Sequence, residues 1–101
     1  MKLLIITGVK AYEKEVLRLF KKAQIHAFSS GDIKGFKSDD HENLIDNWFS
    51  GSTDRVRSVL FFTFEAQQKV ELLLEQLKEF NREVSGDNPI KAVVLPIESY
   101  V

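Results

Sequence analysis

The chain contains no cysteine. That excludes a disulfide scaffold, thiolate ligation of a metal and a cysteine nucleophile. Histidine is scarce, at two residues, and no P-loop, HExxH pattern or Ser-His-Asp arrangement is recognisable. No catalytic residue is assigned, and the expectation is a non-enzyme. An excess of charge of one sign is also missing: the formal net charge is −1, with Lys and Arg scattered rather than striped. Neither nucleic acid nor an anionic membrane is therefore an expected partner. Long hydrophobic runs are absent as well. The N-terminal stretch MKLLIITGVKAYEKE has one short apolar run, Leu3–Ile6, too short for a signal peptide's apolar region or a membrane span. The reading is a soluble cytoplasmic protein without membrane insertion.

The chain has 101 residues, of which 44% are hydrophobic and eight are Phe. That predicts one domain, 1–101, with a true core. Leu3–Ile6 reads as a strand buried on both faces. From Tyr12 to Ala23 the period changes: Val16, Leu19, Phe20 and Ala23 recur at helical spacing. Ile25 to Phe36 returns to an extended pattern, with Ser29-Ser30-Gly31 as a predicted bend or bulge. Val59–Phe64 is a second continuous apolar strand. Ala66–Val84 is the clearest helix, with Val70, Leu73, Leu74, Leu77, Phe80 and Val84 on one stripe. Gly86 and Pro89 stop it, and Ile90–Ile97 is the last strand, whose end Pro96 sets at a sheet edge or beyond the pairing region.

Between the second and third strands lies a polar stretch, 37–57, with no convincing period. Compact domains join neighbouring elements with about 4–6 residues, and much longer loops tend to carry function. The order is strand, helix, strand, long loop, strand, helix, strand. This is the β-α-β-β-α-β arrangement of a ferredoxin-like α+β sandwich. It predicts an antiparallel sheet with both helices on one face. Strand side chains alternate between faces, so Leu4 and Ile6 oppose Leu3 and Ile5, and Leu60, Phe62 and Phe64 oppose Val59 and Phe61. Two helices cover only one face, and a large apolar patch is rarely left open on a monomer. The expected cover is further copies of the chain.

The segment Ala23-Gln24-Ile25-His26-Ala27-Phe28, then Asp32-Ile33-Lys34-Gly35-Phe36, then His41, resembles the second strand and loop entry of the PII nitrogen-regulatory signal proteins. That family reads roughly Ala-Gly-Ile-His, then Val-Lys-Gly-Phe, then a His in a long T-loop. The resemblance implies a homotrimer of ferredoxin-like subunits with inward-facing sheets. It also implies a T-loop-like segment at 37–57 and small-molecule sites between subunits at the loop base. Ligand-binding positions carried over are Lys34, Gly35, Phe36 and His41; Asp46, Asp54, Arg55 and Arg57 could line the same cleft, though nothing in the sequence fixes that. The departures concern nucleotides. The family's glycine-rich phosphate cradle corresponds here to 82–89, where Gly86 is the single glycine, and backbone cradles need side-chain-free turns. The T-loop tyrosine is missing, since Tyr12 and Tyr100 lie elsewhere. The sequence does not identify a cofactor, and the ending Ile90–Glu98 looks like a divergent PII-like branch.

Trp48 and Phe49 stand side by side in the polar segment. They either pack on the protein itself or anchor a protein partner, for which Trp is well suited. His41, within Asp39-Asp40-His41-Glu42, has the donor types for a divalent metal. Adjacent residues of one loop seldom converge on one ion, and no metal ligand is assigned. The expected function is a PII-like regulator sensing a small ligand at intersubunit clefts and acting through its T-loop. The alternatives are a metal-responsive trimer resembling the divalent-cation-tolerance proteins, and a ferredoxin-like enzyme subunit or structural oligomer without ligand. His26, among apolar neighbours, is expected to be structural.

Overall fold

A computed structural model describes residues 1–36, 56–84 and 88–101. Strand β1 (Lys2–Val9) leads through a 3-10 turn (Lys10–Tyr12) into helix α1 (Glu13–Lys22). Strands β2 (Ser29–Gly35) and β3 (Val56–Glu65) follow. Helix α2 (Gln67–Glu83) and strand β4 (Lys91–Pro96) complete the order. The four strands form one sheet in the order β2-β3-β1-β4, antiparallel at every pairing. This is the expected ferredoxin-like α+β arrangement, with the two most apolar strands at the centre.

Register explains which side chains become core. Ile6 lies opposite Phe61, Leu4 opposite Thr63 and Gly8 opposite Val59, so these residues share a face. Leu4, Ile6, Val59 and Phe61 are buried there with Val16, Leu19 and Phe20 of α1 and Val70, Leu73 and Leu77 of α2. Both helices therefore lie on one face. Each large side chain so buried contributes about 1.5–3 kcal/mol. Phe20 and Phe61 meet edge to face with ring centroids 5.4 Å apart, and Tyr12 meets Phe80 similarly at 5.3 Å. The opposite face pairs Ile5 with Phe62 and Val93, and Leu3 with Phe64 and Leu95. Neither helix covers it: Phe62 is 39% exposed and Phe64 53%.

Helix α1 starts with Glu13 and Glu15 and ends with Lys21 and Lys22, which suits its dipole. It closes in a Schellman turn. The Ile25 amide donates to the Phe20 carbonyl (2.9 Å) and the Gln24 amide to the Lys21 carbonyl (3.1 Å). Gln24 takes the left-handed backbone this requires, with φ 61°, where a glycine would sit without strain.

That turn corrects the sequence reading of β2. The strand begins at Ser29 rather than Ile25, because Ile25 is used to seat the chain on the core at 1% exposure. Residues before Ser29 are held by the Thr63 hydroxyl, which donates to the Ala27 carbonyl at 2.6 Å. The predicted bulge at Ser29-Ser30-Gly31 is not formed. These residues pair in unbroken register with Phe62, Phe61 and Leu60, since small polar residues on an edge strand can face solvent without distorting the ladder. Pro96 closes β4, which is an edge strand as expected.

After α2, the Asn81 side chain grips the approach to β4. Its Nδ2 donates to the Ile90 carbonyl (3.0 Å), and its Oδ1 accepts from the Ile90 amide (2.9 Å). One side-chain amide thus takes the place of a neighbouring strand for Ile90, which is buried.

Candidate functional site

Three elements converge at one end of the sheet. The turn after β1 brings Lys10 beside β2, and β2 and β3 run together as far as Gly35 and Val56. Lys10, Asp32, Ile33, Lys34, Phe36, Arg57 and Ser58 line a cleft of about 660 Å³ there. Ile33 and Phe36 supply apolar surface. The charged groups of this lining are three cations and one carboxylate.

Lys10 Nζ lies 2.5 Å from Asp32 Oδ1 and 3.1 Å from Glu13 Oε1. The hydrogen bond from Lys10 holds the Asp32 carboxyl below its ordinary value of 3.8. Partial desolvation opposes this, and the charges of Lys10 and Arg57 add to it. Reciprocally, the hydrogen bonds to Asp32 and then Glu13 raise the Lys10 ammonium above 10.5. Asp32 is therefore an anion at neutral pH and is already matched to Lys10.

Lys34 and Arg57 differ. They are register partners on adjacent antiparallel strands, so they project from the same face. Like charges directly opposite each other weaken a strand pair. Both side chains are exposed, and among the described residues neither forms a close ion pair. The cleft thus carries two cations in register with each other, next to an aromatic ring and a Lys–Asp pair. Chemically this suits a small anion with a carboxylate or phosphate group.

Of the residues singled out in the sequence, Lys34 and Phe36 line the cleft, and Phe36 is 61% exposed. Gly35 is buried at the end of β2 opposite Val56 and does not line it. His41, Trp48 and Phe49 lie outside the described residues, as does most of segment 37–57. His26 is exposed rather than held in the interior. Lys10 and Asp32 have no role in the sequence reading. Their signal is positional: a lysine just past β1 and an aspartate two residues before Lys34 come together only once the register is known.

A second, smaller groove of about 320 Å³ lies at the other end of β2, lined by Ala27, Phe28, Ser29, Phe62, Thr63 and Phe64. This lining carries no charged side chain. Among the described residues, no group of three His, Asp or Glu side chains could hold a metal ion, and no helix is long and apolar enough to cross a membrane.

No family model matches the chain, and no curated protein matches it. Solved structures do. CPII, a nitrogen regulatory PII-like protein from Thiomonas intermedia K12 bound to ADP, AMP and bicarbonate, superimposes with a TM-score of 0.64 at 14% identity, covering 99% of this chain and 94% of that one. Arabidopsis thaliana PII bound to citrate gives a TM-score of 0.68 at 18% identity, covering 95% of this chain and 76% of that one. A PII-like signalling protein from Thermus thermophilus gives 0.60 at 15% identity, with 92% and 82% covered. The chain has the fold of the PII-like proteins, in agreement with the resemblance read from its sequence.

Proposed function

We propose that this chain is a one-domain, non-enzymatic, cytoplasmic regulator of the PII-like kind. It assembles as a homotrimer through its open sheet face and binds a small anion at the cleft where β2 ends. Lys34, Phe36 and Arg57 contact the anion from one subunit, with Gly35 at the strand end and His41 as a further ligand-binding position. Ligand binding acts through segment 37–57, whose Trp48 and Phe49 anchor a protein partner.

The observation that carries this reading is the like-charged pair Lys34 and Arg57, set opposite each other in register. A bound anion can bridge the two cations. The ligands named for the neighbouring structures, ADP, AMP, bicarbonate and citrate, are anions of this kind. The poor glycine content of 82–89 favours a small carboxylate over a nucleotide triphosphate chain. The assembly is supported by the apolar side chains left open on the sheet, Phe62, Phe64, Val93 and Leu95.

Calorimetric titration with citrate, bicarbonate, ADP and AMP tests the ligand. At least one should bind, and Lys34→Ala or Arg57→Ala should weaken it by about tenfold or more, as for loss of a charge-assisted hydrogen bond. Absence of binding by all four rules out the cleft as an anion site. A sedimentation mass of a single chain at micromolar concentration rules out the trimer. Trp48→Ala should leave the trimer intact and weaken partner binding; dissociation of the trimer instead assigns Trp48 to packing.

A further inference from the structure

We infer that Asp32 is a built-in competitor for the cleft, a specificity-determining carboxylate that occupies Lys10 until an incoming anion displaces it. This rests on the reading of the cleft as an anion site and goes beyond it by assigning a residue that sets which anions bind.

Among the described residues four charged side chains line the cleft, and Asp32 is the sole acid of the four. Its Oδ1 sits 2.5 Å from Lys10 Nζ, and its side chain is 64% exposed. Exposed ion pairs hold weakly because water and salt compete with them. Lys10 also has a second acceptor, Glu13 at 3.1 Å, so releasing Asp32 does not leave the ammonium unpaired. Asp32 and Lys34 are two residues apart on β2, and alternation puts them on one face with Arg57. An anion bridging Lys34 and Arg57 therefore meets the Asp32 carboxylate beside it.

Two consequences follow from having that carboxylate there. The cation nearest the turn, Lys10, is masked in the free protein. And every added negative charge on a ligand meets more repulsion from Asp32, so the cleft favours anions of low charge. In water a unit charge at 4 Å changes affinity by about fivefold, and the effect grows with the charge on the ligand.

The test uses the full chain, with citrate and bicarbonate as probes, titrated by calorimetry at low ionic strength. Asp32→Asn keeps the size and hydrogen-bonding shape of the side chain on an exposed edge strand. It should bind citrate at least about fivefold tighter than the unaltered chain, and bicarbonate by a smaller factor. The added substitution Lys10→Met should remove the part of the gain that comes from the freed ammonium and leave the part that comes from the lost repulsion. Equal or weaker citrate binding by Asp32→Asn, while the unaltered chain does bind, overturns the inference and leaves the anion site standing. Failure of both proteins to bind either probe overturns the inference, and failure to bind ADP and AMP as well overturns the anion site with it. Citrate binding by Asp32→Asn alone supports the mask directly. A role for Asp32 as a mere strut between β1 and β2 would lower the thermal midpoint of Asp32→Asn without the difference between citrate and bicarbonate, and that pattern also overturns the inference.

Discussion

Neighbouring residues of β3 meet opposite fates. Phe61 is fully buried beneath the helices, whereas Phe62, one position on, is 39% exposed on the other side of the same sheet. Both positions hold phenylalanine. A strand that is apolar on both sides is suited to burial on both sides, yet the helices of one chain cover only one. The difference teaches that the same residue type is used for folding in one direction and left open in the other, on the face where the proposed assembly would bury it.

The strongest way to sharpen that contrast is to truncate each ring in turn. Phe61→Ala should cost about 3–5 kcal/mol in chemical denaturation, as for large-to-small changes in a closed core. Phe62→Ala should cost far less in dilute solution and should weaken the dependence of the unfolding midpoint on protein concentration, a dependence expected of the unaltered chain if folding and assembly are linked. Equal, concentration-independent losses would break the distinction between the faces. Thr7 gives a second probe. It lies on the open face, opposite Leu60 and Lys91, and is only 5% exposed. Its hydroxyl has no hydrogen-bond partner among the described residues. Thr7→Val should therefore stabilise the protein by about 1 kcal/mol, raising its thermal midpoint by roughly 4–8 °C. A loss of stability would show that the hydroxyl is paired when copies assemble.

The helical side offers a smaller test. Gln24→Gly should stabilise the end of α1 by up to about 1 kcal/mol, because the left-handed turn at φ 61° suits glycine. No gain would mean that the Gln24 side chain offsets its backbone strain. The smallest expected effect comes from the charged end of the sheet. Asp32 has a folded pKa below its unfolded 3.8, so its pairing stabilises the fold above that value and is lost as pH falls through the depressed one. Lys10 has a folded pKa above 10.5, so its contribution holds below that value and fades as pH rises through the raised one. Carboxyl-detected NMR titration should find Asp32 below 3.8, and Lys10→Met should move it upward. An unmoved titration would remove Lys10 as the cause.

The central strands and both helices were legible because each carries its own period. Continuous apolar runs mark β1 and β3, and the stripe through Val70, Leu73 and Leu77 marks α2. The start of β2 was not legible. Ile25 and Phe28 look like strand residues, but the left-handed turn at Gln24 sends Ile25 into the core before pairing starts. The candidate site was half legible. Lys34 and Phe36 stood out because a short contiguous motif contains them. Arg57 stood only as one of several charged residues that could line the cleft, and register singles it out; Lys10 and Asp32 are brought there by the pairing of strands and the turn after β1, and no spacing along the chain encodes that meeting.

Asn81 has a consequence for how this architecture can vary. By holding both the amide and the carbonyl of Ile90, one side chain fixes where β4 begins whatever chain length separates it from α2. Insertions between Val84 and Asn88 should then be tolerated, at a closure cost of only about 0.6 kcal/mol for each doubling of the connection. The connection becomes a place where lineages can lengthen, shorten or rewrite the chain without shifting a strand.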